Sequence, residues 1–366
     1  MAEMDDNSID FICTDPPYGL SFMGKDWDHG IPGIEFWKQA LRICKPGSML
    51  AAFGGTRTYH RLTCAIEDAG WEIRDCMMFL YGTGFPKSHN FGRKMEGDWK
   101  KYGTALKPAH EPIILAMKPL DGTFAQNAEK WGVAGINIDS SRIQMEEKDF
   151  QEYKEKRESF NVTMGQTSIF NASPLNNKIE TKGRWPANLI LDEESAEALD
   201  QMTGILKSGS GDRRPNGGGQ MFNGFSPMKA EFEASSGGAS RFFYCAKTSS
   251  FERNAGLEGM PLKETSCQYG YKEDRGRNGY MPPSPKTNNH PTVKPLALMR
   301  YLIKLLAPPG NPILLDPFAG SGTTIIAAKQ LGISAIGIEL SEEYCEIARK
   351  RIDHAQEISE QLEMSL

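Results

Sequence analysis

Residues 314–324 read LLDPFAGSGTT. An apolar run ends in Asp316, a turn carries Gly320 and Gly322, and IIAAKQLG continues with helical composition. A strand, a glycine turn and a helix in that order bring backbone N–H groups to the carboxyl edge of a sheet, where α/β proteins hold ligands. About twenty residues on, SAIGIEL carries Glu339 at its close, where an acidic side chain can accept hydrogen bonds from both hydroxyls of a ribose. The two signals together predict a nucleoside cofactor. A phosphate-binding loop would carry Lys where Thr323 stands, and a dinucleotide turn would carry a third glycine in place of Ile325. A glycine turn without pyrophosphate machinery suits S-adenosylmethionine, which has a ribose and an amino acid but no phosphate. A plain strand-to-helix turn could use the same glycines, so the rest of the chain has to decide.

Outward from this stretch, strands and helices alternate. IDFICT (residues 9–14) has strand composition, a helix is predicted over 35–43, and Lys45-Pro46-Gly47 forms a turn before the buried strand SMLAAF. Helical spacing of Leu62, Ala65, Ile66 and Ala69 ends at Gly70, before the strand-like WEIRDCMMFLY and the apolar run EPIILAM. The alternation resumes from Pro295 with LALMRYLIKLLA, PILLD, the glycine turn, SAIGIEL and the helix SEEYCEIARKRI. This pattern predicts an α/β protein with a doubly wound, mostly parallel sheet. Between them Gly, Asn, Ser and Arg become frequent. EEKDFQEYKEKRES reads as an exposed helix and GSGDRRPNGGGQMFNGF as a glycine-rich loop. The expected division is therefore residues 1–118, an inserted region 119–288, and residues 289–366.

Composition excludes several classes. The chain has 366 residues, and 39% of them are hydrophobic and 24% charged, ordinary values for a globular protein able to bury a core. No stretch approaches a membrane span, and the acidic start MAEMDDNSID is unlike a secretion signal, so the expected location is the cytoplasm. Seven scattered cysteines without CxxC spacing, and six dispersed histidines, argue against disulfides and against a metal site. A net charge of -5 means that any nucleic-acid contact has to be local.

Residues 15–18, Asp-Pro-Pro-Tyr, close the first strand. The exocyclic amine of adenine or cytosine is a poor nucleophile because its lone pair is delocalised into the ring. Acceptors aimed at its two N–H bonds localise that pair, and Asp15 with the Pro16 carbonyl supplies two. Pro16 and Pro17 fix the backbone without adding a competing N–H, and Tyr18 offers an aromatic face for an extruded base. A strand end capped by a Pro-Pro turn would look the same locally; the glycine turn and Glu339 favour chemistry.

TDPPYGL, HPTVKP, DPFAGSGTT and Glu339, in this order, resemble the beta class of DNA amino-methyltransferases, which use S-adenosylmethionine to methylate adenine N6 or cytosine N4. The resemblance covers residues 9–119 and 288–354 and is loose between them. It implies a Rossmann-like methyltransferase fold in which Asp15, Pro16, Pro17 and Tyr18 hold and activate the target amine. It further implies that Asp316, Phe318, Gly320, Gly322 and Thr323 line the cofactor, that Glu339 binds its ribose, and that Thr292 and Lys294 contact its methionine end. A lysine at a helix start opposes the helix dipole, which fits a ligand carboxylate there. Aspartate at the head of the tetrapeptide points to adenine, with N4-cytosine methylation the alternative. Carbon-5 methylation would need a cysteine nucleophile, usually after proline, and no cysteine follows proline here. Family members also carry a Gly-Asp-containing strand ahead of the tetrapeptide strand, without counterpart before Ile9, so a DNA-binding homologue with impaired catalysis is a further alternative.

The inserted region is expected to choose the DNA sequence. Arg213, Arg214, Lys229, Arg241, Lys247 and Arg253 interleave there with Phe222, Phe225, Phe242, Phe243 and Tyr244, a mixture suited to contacts with phosphates and base edges. Double-stranded DNA is the expected partner; homodimerisation and a separate restriction nuclease are left open.

Overall fold

The run Ile9–Thr14 is β1, an inner strand of the sheet, with every residue buried. The computed structural model describes residues 1–20, 30–82, 91, 95, 97–143, 183–207, 236–246, 252–260, 288, 290 and 293–363, with side chains up to 355. After β1 come α1 (Ile34–Ile43), β2 (Cys44–Phe53), α2 (Tyr59–Asp68), β3 (Glu72–Leu80), β4 (His110–Met117) and α3 (Phe124–Trp131). Then follow β5 (Leu189–Asp192), α4 (Glu193–Thr203), β6 (Leu206–Lys207), β7 (Ser236–Gly237) and β8 (Tyr244–Ala246). The chain continues through α5 (Leu296–Leu306), β9 (Ile313–Asp316), α6 (Thr323–Gln330), β10 (Ser334–Gly337) and α7 (Glu342–Glu363). The exposed helix expected over 146–159 and the glycine-rich loop over 209–225 lie outside the described residues.

Eight strands form one sheet in the order β10-β9-β1-β2-β4-β3-β5-β8. Every neighbouring pair is parallel except the two made by β4, which runs against both β2 and β3. The expected doubly wound, mostly parallel α/β sheet is therefore the observed one. Alternation along the strands sends Phe11, Cys13, Ala51 and Leu115 into a core shared with α5 and α6. Ile12, Leu50, Ala52 and Ile114 face the other way, against Trp37 and Ile43 of α1 and Leu62 and Ile66 of α2. Nine of the eleven residues of α5 are buried, so this helix is enclosed rather than amphipathic. Removing one of its leucines from water contributes about 1.5–3 kcal/mol.

Two details differ from the pattern read in the sequence. The Lys45-Pro46-Gly47 turn does not precede the second strand but is absorbed into it, where the β1–β2 register jumps from Ile9↔Cys44 to Phe11↔Met49. The alternation also does not stop at residue 119: β5 pairs with β3, and β8 with β5, so the inserted region contributes the last two strands of the main sheet. These strands span only four and three residues. Among the described residues, no helix is long and apolar enough to cross a membrane.

Candidate active site at the carboxyl edge of β1 and β9

Parallel pairing of β1 with β9 brings the Asp-Pro-Pro-Tyr segment and the glycine turn to one edge of the sheet. The two are tied together: buried Thr14 donates its hydroxyl to Asp316 Oδ1 at 2.6 Å. The same oxygen accepts the Phe318 N–H at 3.0 Å. Asp316 is 1% exposed and so lies beneath the turn, shaping it. Burial pushes its carboxyl up to about 6, against the bonds from Thr14, Thr324 and the Phe318 N–H and with the help of the Asp15 charge.

The turn itself needs its glycines. Gly320 has φ +52°, and a Cβ there would come within 2.7 Å of His290 Nε2. Gly322, at φ +82°, opens α6, whose first residue is Thr323. Glu339, just past β10, turns back to accept the Gly320 N–H on Oε2 and the Ser341 N–H on Oε1, both at 2.8 Å. Phe318 packs against Phe36, their ring centroids 4.9 Å apart. From below, Arg351 of α7, 2% exposed, donates to the Ser321 carbonyl at 2.5 Å, to Ser321 Oγ at 2.9 Å, to Thr323 Oγ1 at 3.2 Å and to the Glu252 carbonyl at 3.2 Å. Burial lowers its guanidinium to about 10. Among the described residues, the cation that touches the turn is thus committed to the protein's own oxygens.

At the other half of the edge, Pro16 is buried and Asp15 half-buried. The Tyr18 hydroxyl donates to Asp15 Oδ1 at 2.9 Å and accepts from Lys294 Nζ at 3.1 Å. Lys294 Nζ also lies 2.9 Å from Asp15 Oδ2 and 3.1 Å from Glu111 Oε2. Burial alone would pull this ammonium down, but Asp15 and Glu111 outweigh it and hold it above its ordinary value. Burial, with the charges of Asp15 and Glu111, likewise keeps the Tyr18 phenol protonated well above its usual range. The Thr58 hydroxyl holds the Tyr18 carbonyl at 2.7 Å, and a side chain at Gly55 would press on the Tyr18 ring. The tyrosine is therefore fixed by its hydroxyl, its backbone and one side of its ring.

This edge gathers Asp15, Pro16, Pro17, Tyr18, Lys294, Asp316, Phe318, Gly320, Gly322, Thr323 and Glu339. Lys294 reaches it through the tetrapeptide rather than the glycine turn. Thr292, Arg213, Arg214 and Lys247 lie outside the described residues. Arg241 precedes β8, at the end of the sheet opposite Asp15, with its guanidinium 4.9 Å from the Phe242 ring and its charge acting on Asp200. Arg253 donates to the His290 carbonyl at 2.6 Å. Tyr244 stacks on Tyr301 at 4.0 Å and, half-buried, packs against the core. Sequence reasoning did not single out Thr14, Glu111, His290 or Arg351.

A family model described as DNA methylase matches residues 9–350. The chain belongs to this DNA methylase family of N6 and N4 amino-methyltransferases. The glycine turn and Glu339, which accepts the Gly320 N–H, fit S-adenosylmethionine, the family's methyl donor. Among relatives, the type II methyltransferase M2.DpnII of Streptococcus pneumoniae is 50% identical over 64 residues, 18% of this chain and 24% of that protein. The DNA adenine methyltransferase YhdJ of Escherichia coli (strain K12) is 46% identical over 71 residues, 19% of this chain and 24% of that one. The chain spans between 20% and 41% of the length of such curated relatives. Of solved structures, PvuII DNA methyltransferase (cytosine-N4-specific) is 14% identical at a TM-score of 0.43, covering 98% of this chain and 87% of that one. A second weak likeness is the M1.HpyAVI-SAM complex, 17% identical at a TM-score of 0.39, covering 96% and 91%.

Proposed function

We propose that this member of the DNA methylase family transfers a methyl group from S-adenosylmethionine to the N6 amine of adenine in duplex DNA, acting in the cytoplasm on a base flipped out of the helix. The observation that supports this reading is the tie between Thr14 and Asp316, which sets the Asp15 segment beside the glycine turn.

S-adenosylmethionine supplies the methyl group. Asp15 and the Pro16 carbonyl accept the two N–H bonds of the amine, turning its lone pair out of the ring plane. The prolines hold those acceptors still, and Tyr18, protonated throughout the working range, keeps the Asp15 carboxylate aimed. Glu339 takes the ribose hydroxyls with the lone pairs that Gly320 and Ser341 leave over, while Phe318 flanks the nucleoside. Thr292, Gly320, Gly322 and Thr323 complete the cofactor side, while Lys294 stands on the tetrapeptide side. Residues 119–288 choose the target, with Arg213, Arg214 and Lys247 as phosphate or base contacts.

Adenine is favoured by the aspartate that heads the tetrapeptide, and the name of the Escherichia coli relative, a DNA adenine methyltransferase, supports it. The deciding experiment incubates the protein with tritiated S-adenosylmethionine and unmethylated mixed-sequence duplex DNA, digests the product and identifies the labelled nucleoside. Label in N6-methyladenine, lost in Asp15→Ala, is expected. Label in N4-methylcytosine would overturn the base assignment, and no label would overturn the activity.

A further inference from the structure

The Lys294 ammonium stands between two carboxylates. It touches Asp15 Oδ2 at 2.9 Å and Glu111 Oε2 at 3.1 Å, while the Tyr18 hydroxyl occupies Asp15 Oδ1. Its side chain is only 10% exposed, and the rings of Phe53 and Tyr18 lie 4.8 Å and 5.4 Å from its nitrogen. Each oxygen of Asp15 therefore already accepts one strong donor before any substrate arrives. An incoming amine needs the same carboxylate, and an ammonium that simply let go would be stranded without a counter-charge in a nearly dry site.

Glu111 removes that difficulty. It is the second residue of β4, and because β4 runs against its neighbours, its beginning rather than its end lies at the catalytic edge. It already holds the same nitrogen. We infer that Glu111 is a positioning residue that takes over the Lys294 ammonium when the target amine binds, freeing Asp15 Oδ2 to accept from the amine. No covalent bond is made or broken in this exchange, and the ammonium moves between two acceptors it already touches. Glu111 contacts neither the base nor the methyl donor; it acts through Lys294. The inference rests on the methyl-transfer reading above.

Glu111→Gln separates charge from shape, because the amide keeps an oxygen for Lys294 to donate to but gives no full counter-charge. With only Asp15 left as an anion, the ammonium stays on it. In the full-length chain, measured with saturating S-adenosylmethionine and unmethylated duplex DNA, kcat should fall roughly 10- to 100-fold, the worth of one charge-assisted hydrogen bond. Cofactor affinity by calorimetry should stay within about threefold, and KM for DNA should change less than kcat. Glu111→Asp, which restores the charge, should recover most of the lost rate. A Gln variant as fast as wild type, or an Asp variant as slow as the Gln variant, would overturn the inference while leaving the methyl-transfer reading intact. If the Gln variant loses cofactor binding as well, Glu111 is structural and the inference is wrong. A wild-type protein that labels no DNA removes the methyl-transfer reading itself.

Discussion

The backbone N–H of Gly320 donates to Glu339 Oε2 at 2.8 Å, so the residue proposed to bind a ribose also braces the glycine turn. In that proposal one carboxylate serves both the protein and its ligand. Glu339→Ala should therefore weaken S-adenosylmethionine binding by roughly 10- to 100-fold, the loss of one or two charge-assisted hydrogen bonds. Calorimetric titration of the variant checks this, and an affinity within twofold of wild type would remove Glu339 from the cofactor site.

Gly320 itself tolerates no side chain. Alanine there would have to hold φ near +52° and push its Cβ onto the His290 ring, 2.7 Å from Nε2. Gly320→Ala should cost about 1–3 kcal/mol and misplace the turn. Urea denaturation should report the loss, together with weaker cofactor binding.

Asp316 makes a prediction about pH. Its folded carboxyl titrates at about 6, against about 3.8 in an unfolded chain, chiefly because it is buried. Between those values the unfolded chain has released its proton and the folded one has kept it, so stability falls as pH rises through this window, by about 3 kcal/mol in all. Asp316→Asn carries no such penalty. Its stability relative to wild type should improve by about 2–3 kcal/mol between pH 4 and pH 7. Parallel pH profiles of the urea midpoints for the two proteins would refute this.

Arg351 holds the turn from below through three hydrogen bonds and reaches the Glu252 carbonyl with a fourth. Arg351→Ala removes the donors and leaves buried oxygens of Ser321 and Thr323 to be satisfied otherwise. A loss of about 3 kcal/mol or more is expected, with Arg351→Lys intermediate because an ammonium cannot reproduce the planar fork. Thermal denaturation of the three proteins orders them.

How far the sequence could foresee this depended on whether a residue's role was decided by its neighbours in the chain. The glycine turn, the tetrapeptide and Glu339 announce themselves because each is a local backbone device. β5 and β8 did not, since four and three residues carry too little periodicity; β5 is placed by contact with β3, more than a hundred residues earlier, and β8 by contact with β5. Arg351 sits in the run Arg349-Lys350-Arg351 and looks like one more solvated cation. Only its spacing from Ile347, Ala348 and Ala355, all buried, puts it on the apolar stripe of α7. For Glu111 no local signal existed at all: an acid at the head of an apolar strand is ordinary until Lys294, distant in sequence, folds against it.

The bond from Thr14 to Asp316 spans 302 positions. A ribosome finishes β1 and covers one of its edges with β2 early, but the opposite edge stays open until residue 313 has been made. At roughly 5–20 residues per second that wait lasts on the order of tens of seconds. Through it the nascent chain displays an apolar, unpaired strand edge, the kind of surface that captures other chains. For the same interval Asp15 has neither Lys294 nor the glycine turn beside it, so a half-made chain has no assembled site with which to engage a base.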